Sequence, residues 1–237
     1  MKVGKVKKNS VQDTVYQLLK EAIMSLRLVP GTVMSTQAMA DTLNVSRTPV
    51  REAFIRLEEE NLVDIVPQKE TIVSRIDLDR VLQERFIRES LEMAVIDPFL
   101  EKFSVSDIAV MRNTLELQKE CMREKRYADF ITQDNLMHRQ LFVAAGQELA
   151  WNAIQTVNGH DYRFRILSVQ VDDVMEAAIN QHEQMIEKIE QGDVEGARRE
   201  LAHHLRKLRY EKDKMIELYP DYFKKEKSPD ELILPPL

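Results

Sequence analysis

The chain has 237 residues, 43% hydrophobic and 31% charged, with a formal net charge of −6 and one cysteine, Cys121. That suits one large globular domain or two small ones; it excludes an internal disulfide, fits a reducing cytosol, and contains no apolar run near the roughly 20 residues that span a bilayer. The acidic total hides an asymmetry, because residues 1–76 hold 11 basic and 9 acidic side chains while the remainder holds 23 and 31.

The basic start "MKVGKVKKNS" lacks the apolar core of a secretory signal, so a cytoplasmic, nucleoid-associated protein with no membrane partner is expected. Ser10 is placed to cap a helix through "VQDTVYQLLKEAIMSL", whose apolar residues recur every three or four positions until "VPG" ends it. Ser35 caps a second short helix, "TQAMADTL". After the turn "NVS", Ser46 or Thr48 caps a third helix running to about Glu60, with Pro49 in its first turn, where a missing N–H costs nothing. "NLVDIVP" and "TIVSRI" then read as two strands around "QKE". The rest is helical by period, with helices near 78–101, 105–125, 127–145, 148–168, 172–191 and 193–218. Pro98 is expected to kink or end the first of these. The expected organisation is a 1–76 winged helix-turn-helix, a 77–220 helical bundle and an extended tail over 221–237. The fold class is mainly α, three helices and a two-stranded wing followed by an all-α bundle.

Three helices and a wing form a reader of duplex DNA, in which the last helix enters the major groove by its N-terminus. Backbone N–H groups there face phosphates, Ser46 and Thr48 add hydroxyls, and Arg47 and Arg51 can fork onto guanine. On spacing alone, a capped surface helix with solvated arginines remains the alternative. The stretch "STQAMADTLNVSRTPVREAFIRLEEENLVDIVPQKETIV" resembles the winged helix-turn-helix of GntR-family bacterial regulators. The resemblance implies DNA contacts at Ser46, Arg47, Thr48, Arg51 and, on the wing, Lys69. Gln37 is a further candidate contact, at a position where the family often has Arg. Glu70 stands where the wing turn usually has Gly; a carboxylate there faces phosphates, and a positive φ would strain it.

In the helical part, four polar residues interrupt apolar stripes. Phe130, Asp134, His138, Leu141 and Ala145 share one helix face; Met175, Ile179, His182, Ile186 and Ile189 share another; Val194, Ala197, Leu201, His204 and Leu208 share a third. A buried carboxylate and three buried imidazoles need partners, and one divalent cation would satisfy all four. A lone core histidine is more often satisfied by a carbonyl or carboxylate, but the i, i+4 pair Asp134–His138 and the set of four favour a metal. His203 is one position off its stripe and His160 has no fixed face, so neither is taken as a ligand.

"DNLMHRQLFVAAG" and "QHEQMIEKIEQGDVEGARRELAHHL" resemble the FCD effector domain of the FadR branch of that family, including a 22-residue step from His182 to His204. The resemblance implies a metal held by Asp134, His138, His182 and His204 and a small organic acid as effector. It implies no fatty-acyl ligand, because the acyl-CoA-binding member lacks that ligand set. Arg88 aligns with an arginine of the first effector helix and is the candidate effector contact. Gln147 stands where Asn often occurs near the effector pocket. Zinc leads the metal candidates, and nickel, manganese and cobalt suit the same N3O donors. The expected protein is a homodimeric repressor that reads an inverted repeat and catalyses nothing. The alternatives are a metalloenzyme-like bundle and a constitutive DNA binder with a structural metal.

Overall fold

The Ser10 side chain accepts from the Asp13 N–H and starts α1 (Val11–Met24), whose buried stripe is Val15, Tyr16, Leu19 and Ile23. The computed structural model describes residues 10–67, 69–171, 173–206 and 212–225. A two-residue strand β1 (Val33–Met34) precedes α2 (Thr36–Leu43), which Ser35 caps through the Ala38 N–H. Asn44, in the left-handed conformation at φ 52°, ends α2 and redirects the chain into α3 (Arg47–Glu59). Strands β2 (Val63–Val66) and β3 (Glu70–Val73) form the wing hairpin, with Val66 opposite Glu70. The sheet is three-stranded in the order β1-β3-β2, because Val33 and Met34 pair with Ile72 and Thr71. Two residues carry no periodicity, so the sequence pattern gave no sign of β1. Val50, Phe54 and Leu57 of α3 pack with α1 and with Leu62, Val63 and Val73 in one core.

Among the described residues the remainder is helical: α4 (Leu78–Lys102), α5 (Val105–Arg123), α6 (Tyr127–Ala145), α7 (Glu148–Thr156), α8 (Gly159–Ser168), α9 (Val174–Glu190), α10 (Val194–Arg206) and α11 (Lys212–Leu218). A second core, with Phe99, Met111, Phe130, Leu141, Ile186 and Leu201 among its members, fills this bundle. Three expectations change. First, α4 continues through Pro98 to Lys102, so the proline does not end it. A proline this near a C-terminus forfeits one ladder bond, and burial of Val95, Ile96 and Phe99 offsets that. Second, the single helix expected over 148–168 is two helices, α7 and α8, broken at Val157–Asn158. The break brings Gly159 against the head, where a Cβ would lie 2.9 Å from a Leu62 methyl. Third, the helix expected over 193–218 appears as α10 and α11, and residues 207–211 lie outside the described residues.

The start of the expected tail is docked on the fold. Phe223 is buried with Ile76, Val81, Phe164, Leu167 and Met215. The Ile76 N–H donates to Tyr222 O at 2.8 Å, the Lys224 N–H to Ile76 O at 2.9 Å, and Arg75 Nε to Asp221 O at 3.0 Å. Residues 226–237 lie outside the described residues. Arg163 of α8 completes the joint, donating from Nη1 to Ser74 O at 2.7 Å and from Nη2 to Ser74 Oγ at 3.1 Å.

Candidate DNA-reading head and metal centre

On the head, α3 buries Pro49, Val50, Ala53, Phe54 and Leu57 and leaves Ser46, Arg47, Thr48 and Arg51 exposed. Ser46 is the N-cap residue, yet its hydroxyl makes no capping bond, so the first-turn N–H groups and the hydroxyl all remain available to an outside acceptor. Among the described residues, Arg47 and Arg51 form no ion pair; Arg56, on the inner side, is held by Asp13 at 2.9 Å. A groove between α3 and the wing is lined by Arg47, Thr48, Arg51, Lys69 and Glu70 among others. Gln37 is exposed, but its amide donates to Asp41 Oδ1 at 2.6 Å, within its own helix. Glu70 opens β3 as an exposed residue and is absent from the positive-φ positions, so the hairpin does not require glycine there.

In the bundle, Asp134 and His138 of α6, His182 of α9 and His204 of α10 converge, with one ligand atom from each within 4.8 Å of every other. His138 Nε2 lies 3.1 Å from His204 Nε2, and His182 Nε2 lies 3.3 Å from it. The Asp134 oxygens stand 3.7, 3.6 and 3.7 Å from the Nε2 atoms of His138, His182 and His204. Four donors arranged tetrahedrally around an ion at about 2.1 Å are roughly 3.4 Å apart, so these spacings fit one ion. The other face of each ring is also engaged. His138 Nδ1 meets Glu92 Oε2 at 2.5 Å, His182 Nδ1 meets Gln118 Oε1 at 2.8 Å, and His204 Nδ1 meets Gln181 Oε1 at 3.2 Å. Acceptors at Nδ1 place the proton there and turn the Nε2 lone pair inward, the arrangement that orients metal-binding imidazoles. Lone pairs facing one another at this range repel unless a cation lies between them. The donor set therefore fits a divalent metal, and among the described residues no helix is long and apolar enough to cross a membrane.

Electrostatics agree. Burial, above all, pushes His182 down to about 3 and His204 well below the usual imidazole value. Burial alone would raise Asp134, but the Arg165 guanidinium and the imidazoles hold it well below the carboxylate range. Burial would likewise raise Glu92, which His138 and Arg88 bring down to about 2. His160 is buried at the joint, where its Nδ1 accepts from the Asp77 N–H at 3.0 Å, and His203 is exposed; neither joins the cluster.

Beside the cluster lies a cavity of about 60 Å³ walled by Arg85, Arg88, Asp134, Asp161, Arg165 and His204 on its polar side and by Phe130, Ile131, Val169 and Leu205 on its apolar side. One water needs roughly 10–15 Å³ on this measure, so the space suits a small molecule. Arg88 donates from Nε to Glu92 Oε1 at 2.6 Å, and its Nη2 lies 3.5 Å from Asp134 Oδ2. Arg165 pairs with Asp134 and Asn135, and Arg85 with Asp161. Gln147 is exposed and does not line this cavity. It follows the C-terminus of α6, 13 residues or roughly 20 Å of helix beyond Asp134. The sequence reading missed Arg85, Arg165, Glu92, Gln118 and Gln181. Arg85, Arg88 and Glu92, at i, i+3 and i+7, do share a helix face with the buried Val81, Val95 and Phe99, a signal that was present.

A winged helix-turn-helix whose basic helix start has no ion pair among the described residues, joined to a helical bundle with a buried His3Asp cluster, defines a two-part DNA-binding regulator. The family model for the FCD domain matches residues 85–207, and that for bacterial regulatory proteins of the gntR family matches residues 11–73. The chain is 28% identical over 216 residues to the HTH-type transcriptional repressor RspR of Escherichia coli, covering 91% of this chain and 95% of that one. It is 30% identical over 192 residues to an uncharacterized HTH-type regulator of Streptomyces ambofaciens, covering 81% and 80%. Its fold matches that of Escherichia coli McbR/YncC with a TM-score of 0.70 at 20% identity, over 89% of this chain and 99% of that one. The chain belongs to the gntR family of bacterial regulatory proteins, with an FCD domain as its C-terminal part. It is a DNA-binding transcriptional regulator.

Proposed function

We propose that this chain is a metal-dependent repressor of the FadR branch, which releases or retains its operator according to a small organic acid bound beside the metal. The head, residues 1–76, reads an inverted repeat as a homodimer, since a two-fold protein matches two copies of one half-site. Arg47 and Arg51 contact base edges, while Ser46, Thr48, Lys69 and Gln37 contact phosphates or bases. The bundle, residues 77–220, holds one divalent ion through Asp134, His138, His182 and His204, with zinc the first choice and nickel, manganese or cobalt compatible. A metal with open positions takes a carboxylate from the cavity, and Arg88 completes that contact. Acid binding shifts the population between DNA-competent and incompetent arrangements of the two heads.

The observation that carries the metal reading is the orientation of the rings: three Nε2 atoms face inward while Glu92, Gln118 and Gln181 hold the three Nδ1 atoms. The test is elemental analysis of the protein from metal-replete medium, alongside operator binding with and without carboxylates. About one equivalent of metal per chain, lost in His182→Ala and His204→Ala but kept in His203→Ala and His160→Ala, is expected. Less than a tenth of an equivalent in well-folded protein would leave the quartet as a polar core network. Operator binding indifferent to every acid tested would make the metal purely structural.

A further inference from the structure

The cavity beside the metal cluster is built for more than one negative charge. Three guanidiniums meet three carboxylates there, as Arg85–Asp161, Arg88–Glu92 and Arg165–Asp134. Glu89, also on the wall, is neutralised by Arg206 at 2.7 Å. These pairs cancel, so a divalent ion on neutral imidazoles would stand as two uncompensated positive charges. Two guanidinium nitrogens also lack a hydrogen bond, although Arg88 Nη2 stands 3.5 Å from Asp134 Oδ2. Arg85 Nη1 and Arg88 Nη2 are buried and have no hydrogen-bond partner among the described residues. Arg85 binds Asp161 Oδ1 through Nε and Nη2, at 3.2 and 2.6 Å, which leaves the Nη1 side of its fork free. Buried unpaired donors on a cationic group are costly and rare in a finished core. Both belong to residues that wall the same cavity.

We infer that the effector is a two-headed dianion, a short dicarboxylate, with one carboxylate at the metal and Arg88 and the second on Arg85. This rests on the reading that the cluster holds a divalent metal and the cavity an acid; it adds the class of acid and names Arg85 as its specificity-determining contact. The separation of the two receptors matters as much as the charge. Arg85 lies almost one helical turn from Arg88 on α4 and is steered by Asp161 of α8, whereas Arg88 leans toward Asp134 on α6. Inorganic phosphate, a compact dianion, tests whether charge alone satisfies the site. A monocarboxylate leaves Arg85 Nη1 unpaired and the net positive charge half compensated.

Succinate and butanoate test the idea, because they have the same chain length and differ by a carboxylate in place of a methyl. Calorimetric titration of the zinc-loaded full chain at pH 7.5 should show succinate binding at least tenfold more tightly than butanoate, with inorganic phosphate no tighter than butanoate. Arg85→Lys keeps a charge for Asp161 but loses the fork. It should bring the succinate-to-butanoate ratio to within about twofold, with zinc stoichiometry unchanged. Arg85→Gln serves as the second variant, and melting curves check that each is folded. Equal binding of the two acids by the parent protein overturns the inference, as does an undiminished preference in a folded Arg85 variant or phosphate as tight as succinate. In those cases the acid-at-metal reading survives, provided that butanoate binds the zinc-loaded protein and not the stripped one. If neither acid binds, or both bind equally well without zinc, that reading falls and takes the dianion with it.

Discussion

Stripping the metal should cost the effector domain stability by an amount that barely changes between pH 7.5 and pH 5.5. An ion that binds only the native state adds RT ln(1 + [M]/Kd), about 2.7 kcal/mol at a concentration a hundredfold above Kd. For a chain of this size that corresponds to roughly 5–11 °C in melting temperature. Protons would ordinarily erode this gain below pH 6.5, since ligand imidazoles must be neutral. Here burial holds His182 down to about 3 and His204 well below its usual value, so these two ligands stay open to metal through that range. The sign of the accompanying stability change follows from the same shifts. A histidine whose folded value is depressed contributes stability that is present above its unfolded value near 6.5 and is lost as pH falls. Stripped and reloaded protein should both weaken on acidification, in parallel, with a near-constant gap. Differential scanning calorimetry of dialysed and zinc-reloaded protein at pH 7.5, 6.5 and 5.5 measures it. A gap that closes by pH 5.5 would show that the imidazoles take up protons readily, and no gap at pH 7.5 would show that the cluster holds no ion.

On the head, Arg47→Ala and Arg51→Ala should each lose about 1–3 kcal/mol of sequence-specific DNA binding by fluorescence anisotropy, with metal content unchanged; a footprint indifferent to both would remove α3 as the reading element. Glu70→Gly should tighten operator binding and steepen its salt dependence, as wing contacts to phosphate are gained; unchanged affinity would mean that the carboxylate points away from the duplex. At the joint, burial raises Glu84 to about 7, while its Oε2 accepts from the His160 and Asp161 N–H groups at 2.8 Å each. A raised folded value favours stability at low pH that is lost as pH rises through it, so Glu84→Gln should gain up to about 3 kcal/mol relative to the parent between pH 4.5 and 7. His160, held down to about 3 mainly by burial, works in the opposite direction but is present in both proteins and drops out of the difference. A flat difference in urea melts across that range would count against the raised Glu84.

The quartet was legible because each member interrupts an apolar stripe, and a stripe is a local property of one helix. What surrounds it was not, for a physical reason. Arg165, Gln118 and Gln181 are ordinary residues for exposed helix faces, and only the packing of other helices over them makes them buried partners, whereas Arg85 and Glu92 do lie on the apolar stripe of α4. Helix α3 was legible for the same reason: its N-cap position, proline and buried stripe are all local to it. The break at Val157–Asn158 falls on a turn-forming Asn158–Gly159 pair that the helical period on both sides overrode, and contact of Gly159 with Leu62 across the joint holds it. That break has a consequence for how the two parts communicate. It makes α8 a separate ten-residue helix whose first turns, through Gly159, His160 and Arg163, grip Leu62, Asp77 and Ser74 near the head. The same helix presents Asp161, Arg165 and Ser168 to the cavity. A longer continuous helix would tie this element to α7; a short one, packed on both sides, can transmit a shift at the arginines to the joint as a rigid body. Arg163→Met, which removes the bonds to Ser74 while keeping bulk, should leave acid binding to the bundle intact and weaken its effect on operator affinity by several-fold. If the acid still changes operator affinity by the parent factor in that variant, coupling does not run through α8.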